Sequence, residues 1–202
     1  MTRTSLLTPS QTTADIQRAD LPRQFLTLSN ILSILRVLLC IPFVLIMFSQ
    51  MSSARIWGAV VMVIAALTDK LDGVLARKLH QTSEWGKILD PLADKIAVAT
   101  VGLVLLGLEL LPLWFVCIAI ARDTLILLGG VYVKAQYGIL LPSNEIGKWT
   151  VGIVSLLLFL LVIDVQGILP DLFLAASTFL LVASFGLYVR RFIAIVQDSQ
   201  GG

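Results

Sequence analysis

The sequence predicts an all-α integral membrane protein, a bundle of six transmembrane helices with both termini cytoplasmic and a short interfacial segment in front. Three observations carry this. Of the 202 residues, 57% are apolar and only 14% charged, with a mean hydropathy of +0.93, far above what a water-soluble fold of this size needs. From residue 28 onward most of the chain divides into runs of about 20 apolar residues, the length that crosses a hydrocarbon core about 30 Å thick. Lysine and arginine, finally, gather at one set of run ends. A soluble enzyme is excluded, and the scattered net charge of +2 gives no basic face for a nucleic acid. Cys40 and Cys117 each lie inside an apolar run, so no disulfide framework or cysteine metal site is indicated.

Residues 1–28 form a polar N-terminal and juxtamembrane segment. It contains Pro9 and Pro22 and lacks the apolar core and small-residue cleavage site of a signal peptide, so it is expected to remain. Residues 21–28 mix apolar and polar positions around Arg23, which suits a short helix lying in the interface. Six spans follow near 29–48, 56–78, 87–108, 111–134, 147–164 and 169–190, within one domain that runs over residues 29–197. Arg3, Arg18, Arg23, Arg77, Lys78, Lys87, Lys134, Lys148, Arg190 and Arg191 flank one set of ends, and Arg55 alone marks the other. The positive-inside bias makes the first set cytoplasmic. Trp57 and Trp114 at the outer ends, with Trp85 and Trp149 at the inner ends, occupy both interfaces as amphipathic rings do. The loops are too short for a second domain.

Ionisable groups at membrane depth are expensive and are expected only where they line a polar cavity and act there. Here they cluster at the inner end of the second span and the start of the third. On a helix Asp69, Asp72 and Ala76 share one face, as do Gly86, Asp90 and Asp94. Antiparallel neighbours can aim these faces at each other, gathering four carboxylates that repel unless a cation neutralises them. An all-oxygen set selects a hard ion, Mg²⁺ or Mn²⁺, and four acids suffice for two ions. Gly73 and Ala76 leave room for a bulky substrate beside them. Two other readings compete: a solvated rim paired with Lys70, Arg77, Lys87 and Lys95, and the ion pathway of a cation-coupled transporter. A transporter is expected to carry inverted repeats and broken helices near the midplane, whereas these acids sit toward one face.

The string Asp69-x-x-Asp72-Gly73-x-x-Ala76-Arg77, eight residues, then Gly86-x-x-x-Asp90-x-x-x-Asp94 resembles the signature of the CDP-alcohol phosphatidyltransferase family, with every fixed position filled. Size and six-span plan resemble it too. The resemblance implies transfer of a phosphatidyl group from CDP-diacylglycerol to the hydroxyl of a second alcohol, with release of CMP. It makes Asp69, Asp72, Asp90 and Asp94 metal ligands and Asp94 also the general base. Gly73, Ala76 and Arg77 would meet the cytidine nucleotide. Two metals and one base suffice for direct displacement at the phosphorus that carries the lipid. Upstream, Asn30 and Arg36 match the family's first-span element, with Ser29 where it commonly has Pro and Ser33 where it has Thr. Asn30 could bind a donor phosphate or cap the first helix. Arg36 needs an anionic partner, either the donor or an acid. Thr68 could touch the nucleotide or bond back to its own helix.

The acceptor is read from Arg122 in the fourth span and Lys148 in Gly147-Lys148-Trp149-Thr150. A guanidinium can bind a phosphate through paired hydrogen bonds, and the resemblance places an anionic acceptor there, glycerol 3-phosphate first. Asp123 beside Arg122 is also found in relatives similar to cardiolipin synthases, whose acceptor is phosphatidylglycerol; inositol phosphate comes third. Asp123 points about 100° away on a helix and is not expected to satisfy Arg122 easily, while an ion pair with Asp123 or with neighbours of Asp94 is the competing structural reading of Arg122. Lys148 could equally snorkel at the interface. His80 lies in a polar loop. The resemblance further implies a homodimer and an active site on the cytoplasmic side.

Overall fold

The computed structural model describes residues 28–79, 86–137 and 145–200. Six helices fill them, and no strand occurs among the described residues: α1 Leu28–Met47, α2 Ala54–Leu79, α3 Gly86–Gly107, α4 Leu113–Tyr137, α5 Glu145–Val162 and α6 Ile168–Gln200. They fall on the six apolar stretches of the sequence. The interfacial helix expected over residues 21–28, apart from Leu28, lies outside the described residues, as does His80. Among the described residues, four segments are long and apolar enough to cross a membrane: Asn30–Met47, Leu113–Val133, Glu145–Val162 and Ile168–Gln197. The 26-residue α2 and the 22-residue α3 carry the acid cluster.

One boundary differs from the sequence reading. α6 continues to Gln200 rather than ending near 190. Arg190 and Arg191 end the apolar run but do not break a helix, and the next breakers are Gly201 and Gly202.

The chain divides into two compact units. The first comprises residues 1–42 and 61–97, the second residues 43–60 and 98–202. α1 shows why a helix can serve both. Its buried face runs through Asn30, Ser33, Arg36, Phe43 and Met47, at the three-to-four spacing of a single helical stripe. The stripe is polar in the first unit and apolar in the second. Large apolar side chains elsewhere, among them Ile41, Leu45, Ile56, Leu128 and Phe179, are exposed, as lipid-facing side chains of a spanning helix are.

In the second unit α6 packs against both α4 and α5. Tyr188 of α6 donates its hydroxyl to the Ile126 carbonyl of α4 at 2.8 Å. Gly129 makes this approach possible, since a Cβ there would lie 2.8 Å from the Tyr188 hydroxyl oxygen. Thr150 of α5 is buried and donates to its own helix at Ile146 O (2.7 Å), with the Leu180 carbonyl of α6 at 3.3 Å.

α3 and α5 end alike. The Leu110 amide donates to Leu105 O at 2.9 Å and the Glu109 amide to Leu106 O at 3.0 Å; at α5 the Val165 and Asp164 amides donate to Leu160 O and Leu161 O at 3.0 and 3.2 Å. These are Schellman caps, and each places a non-glycine residue in the left-handed region, Glu109 at φ 59° and Asp164 at φ 61°. Such a conformation costs about 1–2 kcal/mol. Asp164 is held there by an ion pair with Arg55 and by the Gln166 side-chain amide, which donates to its Oδ1 at 2.6 Å.

Gly129→Ala is expected to displace the Tyr188 ring, break its hydrogen bond and lower stability by about 1 kcal/mol. Gly152→Ala, where a Cβ meets nothing within 4 Å, is expected to be neutral or stabilising. Thermal unfolding of both variants in the same detergent checks the contrast.

Candidate functional site

Three helices build the first unit's polar centre. α1 contributes Asn30, Ser33 and Arg36, all essentially inaccessible. Asn30 stands inside the first turn of α1, which already begins at Leu28, rather than at its cap. Arg36 is 3% exposed, and a buried guanidinium is tolerable only with anionic partners. It has two. Its Nη2 lies 3.0 Å from Asp69 Oδ1 of α2, and its Nη1 donates to Asp94 Oδ1 of α3. The carboxylates themselves are 56% and 51% exposed, so the guanidinium holds them from the buried side. Arg36 Nε has no hydrogen-bond partner among the described residues.

The acid pairing expected from helical phase is therefore met for Asp69 and Asp94, which α2 and α3 bring to one guanidinium. Asp72 stands three residues beyond Asp69 in α2, and Asp90 four before Asp94 in α3. The side chains of Asp72, Ala76, Arg77 and Asp90, and the surroundings of Gly73, lie outside the described residues. Among the described residues, Asp69 and Asp94 bring two carboxylates to this one guanidinium, and the donors that they offer are all oxygen. That chemistry fits a hard divalent cation such as Mg²⁺. Thr68 is buried, and its hydroxyl lies 2.9 Å from Ile64 O and 2.8 Å from Ala65 O, donating back into α2.

The second unit holds a separate, partly buried cation. Arg122 of α4 is 12% exposed; its Nη1 donates to Asp123 Oδ1 at 2.6 Å and its Nη2 to Ser184 Oγ of α6 at 2.9 Å. Ser184 in turn donates to Leu181 O at 3.0 Å. Arg122 Nε has no hydrogen-bond partner among the described residues. Adjacent helix positions are not expected to satisfy each other easily, yet the competing ion pair with Asp123 is the one that forms. Cβ vectors do diverge by about 100°, but the long arginine side chain folds back across the short aspartate, and burial makes that pairing worth its lost rotamer freedom. Lys148, by contrast, is 61% exposed and bonds Glu145 at 2.6 Å in the first turn of α5. A pair so exposed contributes about 0–1 kcal/mol. Trp149 beside it is also exposed.

Similarity to other proteins agrees with the acid motif on α2 and α3. A model of the CDP-alcohol phosphatidyltransferase family matches residues 26–194, most of the chain. The chain belongs to the CDP-alcohol phosphatidyltransferase family. Among its relatives, a Bacillus subtilis protein named CDP-diacylglycerol–glycerol-3-phosphate 3-phosphatidyltransferase is 39% identical over 95 residues, 47% of this chain and 49% of that one. A Pseudomonas fluorescens protein of the same name is 43% identical over 89 residues, 44% and 45% of the two chains. A Streptomyces coelicolor protein named cardiolipin synthase (CMP-forming) is 34% identical over 93 residues, 46% and 43%. The chain thus spans about half the length of these three relatives.

Sequence reasoning about this family member left Arg36 without a chosen partner and missed Ser184 entirely. The first had a usable signal, since Asn30, Ser33 and Arg36, at three-residue spacing, put three polar side chains on one face of an otherwise apolar helix. Ser184 had none, because one serine in a long apolar helix reads as packing.

Ser184→Ala leaves Arg122 Nη2 buried without its acceptor and is expected to cost about 1–3 kcal/mol. Thr68→Val removes only a bond within one helix and should change stability by less than about 0.5 kcal/mol. Melting temperatures of the purified variants test the pair.

Proposed function

We propose that the protein is a metal-dependent transferase that takes the phosphatidyl group of CDP-diacylglycerol, passes it to the hydroxyl of glycerol 3-phosphate and releases CMP, within a six-span membrane domain whose active site opens to the cytoplasm. The observation that carries this reading is the convergence of Asp69 and Asp94 on Arg36, in a chain whose family transfers such groups. The names of the Bacillus and Pseudomonas relatives support the acceptor. Positive residues at the ends that carry the acids support the orientation.

Asp69, Asp72, Asp90 and Asp94 would hold two ions, Mg²⁺ or Mn²⁺. Such ions, when bound, supply charge neutralisation for the donor diphosphate and for the leaving group. The chain's own residues do the remainder. Asp94 takes the proton of the acceptor hydroxyl, because an alcohol at neutral pH is a weak nucleophile. The oxygen then bonds the phosphorus that carries diacylglycerol, and the bond from that phosphorus to the CMP oxygen breaks. Gly73 and Ala76 give the cytidine room, while Arg77, Asn30 and Thr68 bind the donor head. Arg122 and Lys148 would bind the acceptor phosphate, Lys148 as an accessible point charge and Arg122 by exchanging its contacts with Asp123 and Ser184.

A second reading makes phosphatidylglycerol the acceptor, favoured by the Arg122–Asp123 pair and by the name of the Streptomyces relative. Both acceptors offer a hydroxyl and a phosphate, so the acid site serves either.

CMP release by the detergent-solubilised protein with CDP-diacylglycerol and Mg²⁺, with each acceptor supplied separately, decides between them. Release with glycerol 3-phosphate is expected and should stop on addition of EDTA; release only with phosphatidylglycerol selects the second reading. Asp94→Asn should lower kcat by about 10²-fold or more, and Lys148→Ala should raise KM for the acceptor more than for the donor. Near-normal turnover by Asp94→Asn would remove that residue as the base.

A further inference from the structure

Arg36 is the most deeply buried of the described charges, yet both of its ionic partners are half-exposed acids. We propose that Arg36 is a positioning residue for the acid site: its guanidinium supplies the positive charge there before a divalent cation arrives, holds Asp69 of α2 and Asp94 of α3 on one centre, and thereby restrains the site's affinity for that cation. The inference rests on the reading of Asp69 and Asp94 as ligands of a divalent cation.

Four features carry it. A guanidinium does not discharge in a protein, so at 3% exposure Arg36 requires an anion in every state of the site. Its two terminal nitrogens go to carboxylates on two different helices, a division of labour for which a planar fork is suited and a single ammonium is not. Both contacts engage Oδ1 from the buried side, while the carboxylates keep about half their surface open. An arriving cation would therefore meet the acids from the side opposite Arg36. Finally, the positive charge acts with opposite sign in the two states. Without a metal it offsets part of the repulsion between the two acids; with one, it adds repulsion toward a dipositive ion on the same ligands. A contact that favours the cation-free state weakens cation binding by the same factor, by thermodynamic linkage.

The test uses the full-length protein in detergent micelles with Mn²⁺ as the probe. Free and bound Mn²⁺ are measured by electron paramagnetic resonance, and thermal unfolding is followed in EDTA and in saturating Mn²⁺, for the unaltered chain, Arg36→Gln and Arg36→Lys. Arg36→Gln is expected to unfold at a lower temperature in EDTA, to recover most of that loss in Mn²⁺, and to bind Mn²⁺ on the order of tenfold more tightly. Arg36→Lys keeps the charge but not the fork; it should lose less stability in EDTA than Arg36→Gln, recover that loss in Mn²⁺, and gain correspondingly less in Mn²⁺ affinity. Equal loss of stability in EDTA and in Mn²⁺, or an unchanged or weakened Mn²⁺ affinity in Arg36→Gln, overturns the proposal and leaves Arg36 as packing. If Arg36→Gln yields no folded protein in either condition, Arg36→Lys decides: a lower melting temperature in EDTA that Mn²⁺ restores supports the inference, and an unchanged one overturns it. Absence of Mn²⁺ binding by the unaltered chain overturns the metal reading of the acids itself, whereas binding there that Arg36→Gln leaves unaltered overturns only the role given to Arg36.

Discussion

One buried guanidinium organises the first unit. Between helices in lipid there is little hydrophobic drive, because a neighbouring helix is no more apolar than an acyl chain, so specific polar contacts and close packing decide which helices associate. Arg36 provides such a contact for three helices at once, joining α1 to Asp69 of α2 and Asp94 of α3. The buried Asn30 and Ser33 preceding it on the same stripe extend the polar surface along α1.

The second unit meets a similar problem by other means. Arg122 draws its anion from the next residue of its own helix and its second acceptor from Ser184 across the seam to α6. Near it on α6, Tyr188 bonds the α4 backbone where Gly129 leaves space. This seam is thus fastened by a charged contact and a neutral one, at neighbouring turns of both helices. A buried arginine in this chain can be satisfied locally or by distant helices, and only the second arrangement gathers acids from separate parts of the sequence.

How much of this was legible follows from what each signal depends on. Helix positions were readable because apolar runs of membrane length need nothing beyond composition. The end of α6 was not, because hydropathy reports where a helix leaves the apolar phase rather than where hydrogen bonding stops. The acids were readable since Asp69, Asp72, Asp90 and Asp94 repeat at three and four along two helices. Their counter-charge was foreseen only as a need, because Arg36 lies far from them in sequence and nothing local names a partner. The Arg122–Asp123 pair was misjudged because Cβ directions were allowed to stand for the reach of a side chain with four rotatable bonds. The left-handed Glu109 and Asp164 carry no glycine to announce them, and the contacts that hold Asp164 come from Arg55 and Gln166.

The polar-to-apolar stripe of α1 also bears on the order in which the protein is made. Arg36 leaves the ribosome 58 residues before Asp94 and well before Asp69, so α1 enters the membrane with its charge unanswered. The segment Asn30–Met47 has a mean hydropathy of 2.3, enough to insert despite an arginine that costs a few kcal/mol at full depth. The two ionic contacts of Arg36 with Asp69 and Asp94 can therefore both form only after synthesis has passed α3.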